Sequence, residues 1–122
     1  MSPTNVQTEI VALLRRVRVR LASPDAWLQG DFAGTPEGHC PLGDPNASCW
    51  CLEGALLAEL GPTPDLDVHR GAQLALMDTI GLRAGGLTLA GWNDAPFRVQ
   101  ADVLGALDST ISHVDRLLGV AA

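Results

Sequence analysis

Three cysteines and three histidines are the residues of this 122-residue chain best suited to chemistry. Cys49 and Cys51 flank Trp50 just before the apolar run Leu52-Glu53-Gly54-Ala55-Leu56-Leu57. A helix start stabilises a thiolate through its dipole, so a cysteine there serves either as a nucleophile or as a small packing group. As chemistry, Cys49 or Cys51 would attack, His69 or His113 would be the base, and Asn93 or Asp94 would orient it. The reaction class would be acyl transfer or amide cleavage. As packing, a free cysteine is a small buried hydrophobe. Two residues apart on a helix, the sulfurs would sit about 200° apart and could not both face the core. That spacing predicts Cys51, above Ala55, turned inward and Cys49 turned toward the preceding loop. It also disfavours a redox pair, which uses Cys-x-x-Cys.

A metal centre would draw on His39, Cys40, Cys49 and Cys51 as a Cys3His zinc set. The Cys-x-x-Cys knuckle such sites favour is absent, and the adjacent His39 and Cys40 are awkward as joint ligands. The expectation is therefore no metal and no cofactor. Ser48-Cys49-Trp50 resembles the Ser-Cys-Trp of papain-like proteases. The resemblance stops at three residues, without the upstream glutamine and in a chain far shorter than those enzymes. Trp92-Asn93-Asp94 is a second cluster. Its polar pair can cap the helix that follows or line a cleft beside the cysteine helix, with Trp92 as anchor. Gly81, Gly85, Gly86 and Gly91 do not form a phosphate-binding loop after a strand.

The elements that must position these residues are mostly helical. Val6, Ile10, Leu13, Leu14, Val17 and Leu21 form one apolar stripe, predicting a first helix over residues 6–21 that Ser23-Pro24 ends. Arg15, Arg16, Arg18 and Arg20 fan around its other face. Residues 23–48 lose the helical period. Trp27 and Phe32 can anchor a short extended segment or turn there, and residues 34–46 read as a Gly/Pro-rich loop. A second helix is predicted over residues 49–60 with Ser48 as its cap. Gly54 inside it costs about 1 kcal/mol and implies a close crossing by another element. A third helix over 67–80 stops at Gly81. Residues 84–91 read as a Gly-rich loop in which Leu87 and Leu89 could form a short strand. A fourth helix follows over residues 99–118. The expected fold is mainly α, a compact single domain of four helices with a long loop or small hairpin between the first two.

Charge and composition narrow the function. The net charge is −6, with no lysine. Residues 1–21 carry a balance of +3, and the rest carries −9. Such acidity disfavours general nucleic-acid binding, which needs clustered positive charge. No apolar run reaches the roughly 18 residues of a membrane span. The arginines of the first helix interrupt any signal-peptide core. The odd number of cysteines suits reduced thiols. A cytoplasmic location is the expectation.

Taken in order, Trp27-x-x-Gly30, Cys51-x-x-Gly54-Ala55 and Trp92-Asn93-Asp94 before a final amphipathic helix resemble an uncharacterised family of small bacterial and phage or mobile-element domains. The family pattern often places Thr or Ser shortly after Asn-Asp; here Pro96-Phe97-Arg98-Val99 stands instead. The resemblance implies an architecture and a residue set but no reaction, and it shifts attention from Cys49 to Cys51. The leading expectation is a small accessory or regulatory protein that binds another protein. Its expected binding residues are Arg15, Arg16, Arg18, Arg20, Trp27, Trp92, Asn93 and Asp94, together with the acidic loop at 34–46. Its oligomeric state is left open, and the cysteine enzyme is the rival.

Overall fold

The structure, a computed structural model, describes residues 3–82 and 87–121. Among them the chain forms five helices and one small sheet, in the order α1 (Pro3–Arg20), β1 (Ala33–Thr35), β2 (Gly38–His39), β3 (Cys49–Trp50), α2 (Leu52–Leu60), α3 (Leu66–Ile80), α4 (Leu89–Asn93) and α5 (Gln100–Ala121). The protein is thus mainly helical.

Helix α1 lies at the centre, packed by α2, α3 and α5. Its apolar stripe explains this position: Leu13, Leu14, Val17 and Leu21 are wholly buried, and Ile10 nearly so. Leu52, Ala55 and Leu56 of α2, Val68, Ala72 and Leu76 of α3, and Val103 and Leu107 of α5 complete the core. Full burial of each large aliphatic side chain contributes about 1.5–3 kcal/mol, so this stripe is the main cohesive term. The C-terminus of α1 is closed by the Gln100 amide, which donates to Leu21 O and Ser23 O at 2.7 Å each.

Helix α3 starts where Asp65 accepts from the amides of Asp67 and Val68, and it stops at Gly81 in the left-handed region. Between α1 and α2 the strands run antiparallel in the order β2-β1-β3. Gly34 is the hub of that sheet, opposite His39 on one side and Cys49 on the other. Residues 26–28 extend it, because Trp50 N donates to Ala26 O and Leu28 N donates to Trp50 O.

Three expectations need correction. Cys49 and Trp50 do not open α2. Their backbones are taken by β1 and by residues 26–28, so the helix begins at Leu52. Ser48 is not its cap, because the Ser48 amide donates to Gly34 O within the sheet. Leu87 and Leu89 form no strand: Thr88 caps Gly91 N, and Leu89 enters the one-turn helix α4. Residues 84–86 of that expected loop lie outside the described residues.

A buried asparagine joins three motifs

The N-terminus of α2 exposes backbone donors that a helix cannot satisfy internally. Two side chains meet them. Cys51, in extended conformation, is the cap, its sulfur accepting from Gly54 N at 3.2 Å. From 41 residues away, Asn93 Oδ1 accepts from Leu52 N at 3.1 Å. The same oxygen accepts from the Trp27 indole at 2.7 Å. Asn93 Nδ2 donates to Leu28 O and to Asp94 Oδ1, both at 3.0 Å. An amide offers two acceptor sites and two donors, so Asn93, 0% exposed, is saturated.

The surrounding residues extend this network. Gln29 Nε2 donates to Asn93 O and Ala95 O, each at 3.0 Å. Gly30 N donates to Asp94 Oδ1 at 3.0 Å, and its φ of +86° is one that favours glycine. Arg98 donates through Nε to Trp92 O at 2.9 Å and lays its guanidinium 3.9 Å from the centroid of the Trp92 ring. Gly54 meets the close crossing its position implied. A Cβ there would stand 1.9 Å from Phe32 O. Trp27-x-x-Gly30, Cys51-x-x-Gly54 and Trp92-Asn93-Asp94 therefore converge on one buried junction. Asn93 and Asp94 do not head the final helix, as one reading had them: they end α4, and Asp102 Oδ2 accepts from Val99 N at the start of α5.

Cys51 is 3% exposed, and burial pushes its thiol pKa up, against the lowering effect of the Gly54 and Glu53 amides. Burial likewise raises Cys49, whose sulfur lies against Gly34. Cys40, beyond β2, is also raised, by burial first and then by Asp44. His69 Nε2–H donates to Glu53 Oε1 at 2.8 Å, where Gln73 Nε2 also donates at 2.8 Å. His39 Nδ1 sits 2.8 Å from Asp31 Oδ2. His113 lines a shallow surface concavity with Asp78, Thr79, Ser109 and Arg116. No described hydrogen bond or ion pair joins a histidine to a cysteine. His39, Cys40, Cys49 and Cys51 do not gather either: among the described residues no group of three or more His, Cys, Asp or Glu side chains is placed to hold a metal ion.

The four arginines of α1 divide between two neighbours. Arg15 pairs with Asp115 at 2.8 Å, and Arg18 reaches both carboxylate oxygens of Asp108 at 2.9 and 3.3 Å. Arg16 and Arg20 share Glu59 on α2, at 3.3 and 2.6 Å. Arg20 also stacks 4.4 Å from the centroid of Trp50. Two open concavities meet there. One, of about 530 Å³, is lined by Arg15, Arg16, Val19, Arg20, Trp50 and Glu59. The other, of about 660 Å³, sets Arg20 and Trp50 against Leu42, Asp44, Pro45 and Leu57. Sequence reasoning named the arginines but not Trp50, whose role depends on the strand that replaced the expected helix start, nor Glu59, whose role depends on how α2 packs against α1. It also missed the Glu53–His69–Gln73 cluster. The i, i+4 spacing of His69 and Gln73 was its only available trace.

No curated protein and no solved structure matches the chain. Residues 5–113 match a family described as a family of unknown function, DUF6197, in keeping with the resemblance to an uncharacterised family. That match spans most of the sequence, from α1 through most of α5, and takes in all three motifs: the chain belongs to the DUF6197 family.

Proposed function

We propose that this chain is a small accessory or regulatory protein of the cytoplasm, associated with a phage or other mobile element, that works by binding another protein rather than by cysteine catalysis. The observation that carries this reading is the meeting of α1 and the 42–47 loop at Arg20 and Trp50, where the molecule offers an open, charged and partly apolar surface. The groups a thiol enzyme would need support it from the other side. The Cys51 sulfur caps a helix, and Asn93 has no hydrogen-bonding capacity left for a substrate. The association with mobile elements rests on the motif resemblance.

The test is affinity capture with crosslinking and mass spectrometry in the native host, comparing the wild-type chain with an Arg16→Ser/Arg20→Ser variant. Circular dichroism should first show that the variant is folded. A partner held by the wild type and lost by the variant is the expected result. Capture of no partner by the wild type would overturn the binding reading.

A further inference from the structure

We infer that the concave surface centred on Arg20 and Trp50 is a docking site for an acidic, apolar segment of a partner protein, a short stretch in which an Asp or Glu stands beside a Leu-like side chain. This deepens the binding reading and rests on it. Charge supplies the first argument. Arg15 is balanced by Asp115, but among the described residues Arg16 and Arg20 share the single Glu59 carboxylate as their ion-pair partner, so the concavity that these arginines line keeps one positive charge, while Asp44 lies across Trp50 on the rim of the other. One guanidinium in excess fits one carboxylate, which can take its donors as a fork. A polyanion fits poorly, because Asp44 stands on the rim and the whole chain carries −6.

Shape and polarity supply the second argument. Val19 is 76% exposed in the middle of this charged group, a large apolar side chain left in water beside Trp50. Across Trp50 the wall becomes Leu42, Pro45, Leu57 and Pro62. An apolar side chain seated there would leave its neighbouring carboxylate within reach of Arg16 and Arg20, giving recognition that combines a buried anchor with a rim charge.

The experiment pans a displayed random dodecapeptide library on the full-length protein. Affinities of the enriched synthetic peptides are then measured by fluorescence polarisation. The expected peptides carry Asp or Glu within two positions of Leu, Ile, Met or Phe, and bind less tightly as salt is raised. Val19→Asp places a negative charge on an exposed position and should weaken them by at least about tenfold. Glu59→Gln removes the competing carboxylate and should tighten them severalfold. No enrichment, enrichment of neutral or basic peptides, or affinities unmoved by both variants would overturn the inference. So would light scattering that shows a dimer dissolved by Val19→Asp, which would give the groove to a second copy, or preferential binding of a nucleic-acid oligomer. A native partner captured equally by wild type and Val19→Asp would overturn this site while leaving the binding reading in place.

Discussion

Asn93→Ala tests whether the motif junction is structural, and its cost can be worked from the bonds it breaks. The substitution removes the acceptor of the Leu52 amide and of the Trp27 indole, together with the donor to Leu28 O. The bond to Asp94 is replaceable, because Asp94 is exposed and water can take it up. A buried group left without a partner costs about 1–3 kcal/mol; the Leu52 donor is buried and the Trp27 donor partly so. Together with the lost Leu28 contact, the expected destabilisation is about 3–5 kcal/mol, a large share of the roughly 5–15 kcal/mol typical of a domain. Urea unfolding followed by circular dichroism at 222 nm measures it. Trp27→Phe removes one of the two donors in advance, so the double variant should lose about 1 kcal/mol less than the sum of the single changes. A loss below about 1 kcal/mol for Asn93→Ala, or strict additivity with Trp27→Phe, would refute the bonded account of the junction.

Four further outcomes follow from the glycines and the Cys51 thiol. Gly54→Ala should lower the unfolding free energy measured in urea by about 1–3 kcal/mol or more, because its Cβ meets the Phe32 backbone; Gly105→Ala, with nothing within 4 Å in α5, should raise it by about 0.5–1 kcal/mol. Cys51→Ser should keep the α2 cap and cost less than Cys51→Ala by about 1 kcal/mol in the same assay. Iodoacetamide mapped by mass spectrometry should modify Cys51 of the native protein far more slowly than Cys40 and Cys49, and readily only after unfolding. Raising pH should also destabilise. The raised native Cys51 pKa keeps its proton while the unfolded thiol ionises near about 8.5, so stability is complete below that pH and falls above it, with a shallower decline in Cys51→Ser.

The helices were readable because their signals are local. The α1 stripe, the Ser23-Pro24 stop, Gly81 and the apolar series Val103, Leu104, Leu107, Ile111, Val114, Leu117 and Leu118 each announce themselves within a few residues; Val103, Leu107 and Val114 are buried as the period requires, whereas Val6 is only partly buried and Leu117, near the end of α5, is exposed. The error at Cys49 has a physical cause. Ser-Cys-Trp before an apolar run reads equally as a helix start or a short strand. The choice was made by backbone partners at Ala26, Leu28, Ala33 and Gly34, all at least 14 residues upstream. Tertiary pairing of this kind overrides local preference. The one-turn α4 was invisible for a similar reason: five residues are too few to show a period. Gly54 was the exception among long-range features, since a glycine inside a helix signals what must pass over it, though not that the crossing chain is Phe32.

The three motifs occupy one junction, and this separates what they specify inside the fold from what the surface offers. Every donor and acceptor on the Asn93 side chain is spent inside the fold, so a chain can keep all three motifs without its surface being determined by them. The junction instead fixes geometry. By pinning Trp27, Leu28 and the start of α2 to one amide, it sets the path of the 26–28 segment. That segment in turn holds Trp50 through two backbone bonds. Trp50 is the platform on which Arg20 stacks and the wall shared by both concavities. Loosening Asn93 would therefore reach the surface through β3, and a binding defect in an Asn93 variant would report a displaced Trp50 rather than a lost contact. Val19→Asp has no such route to the core, because its side chain stands in water. Of the two positions, Val19 is thus the one whose effect on a partner can be assigned to contact.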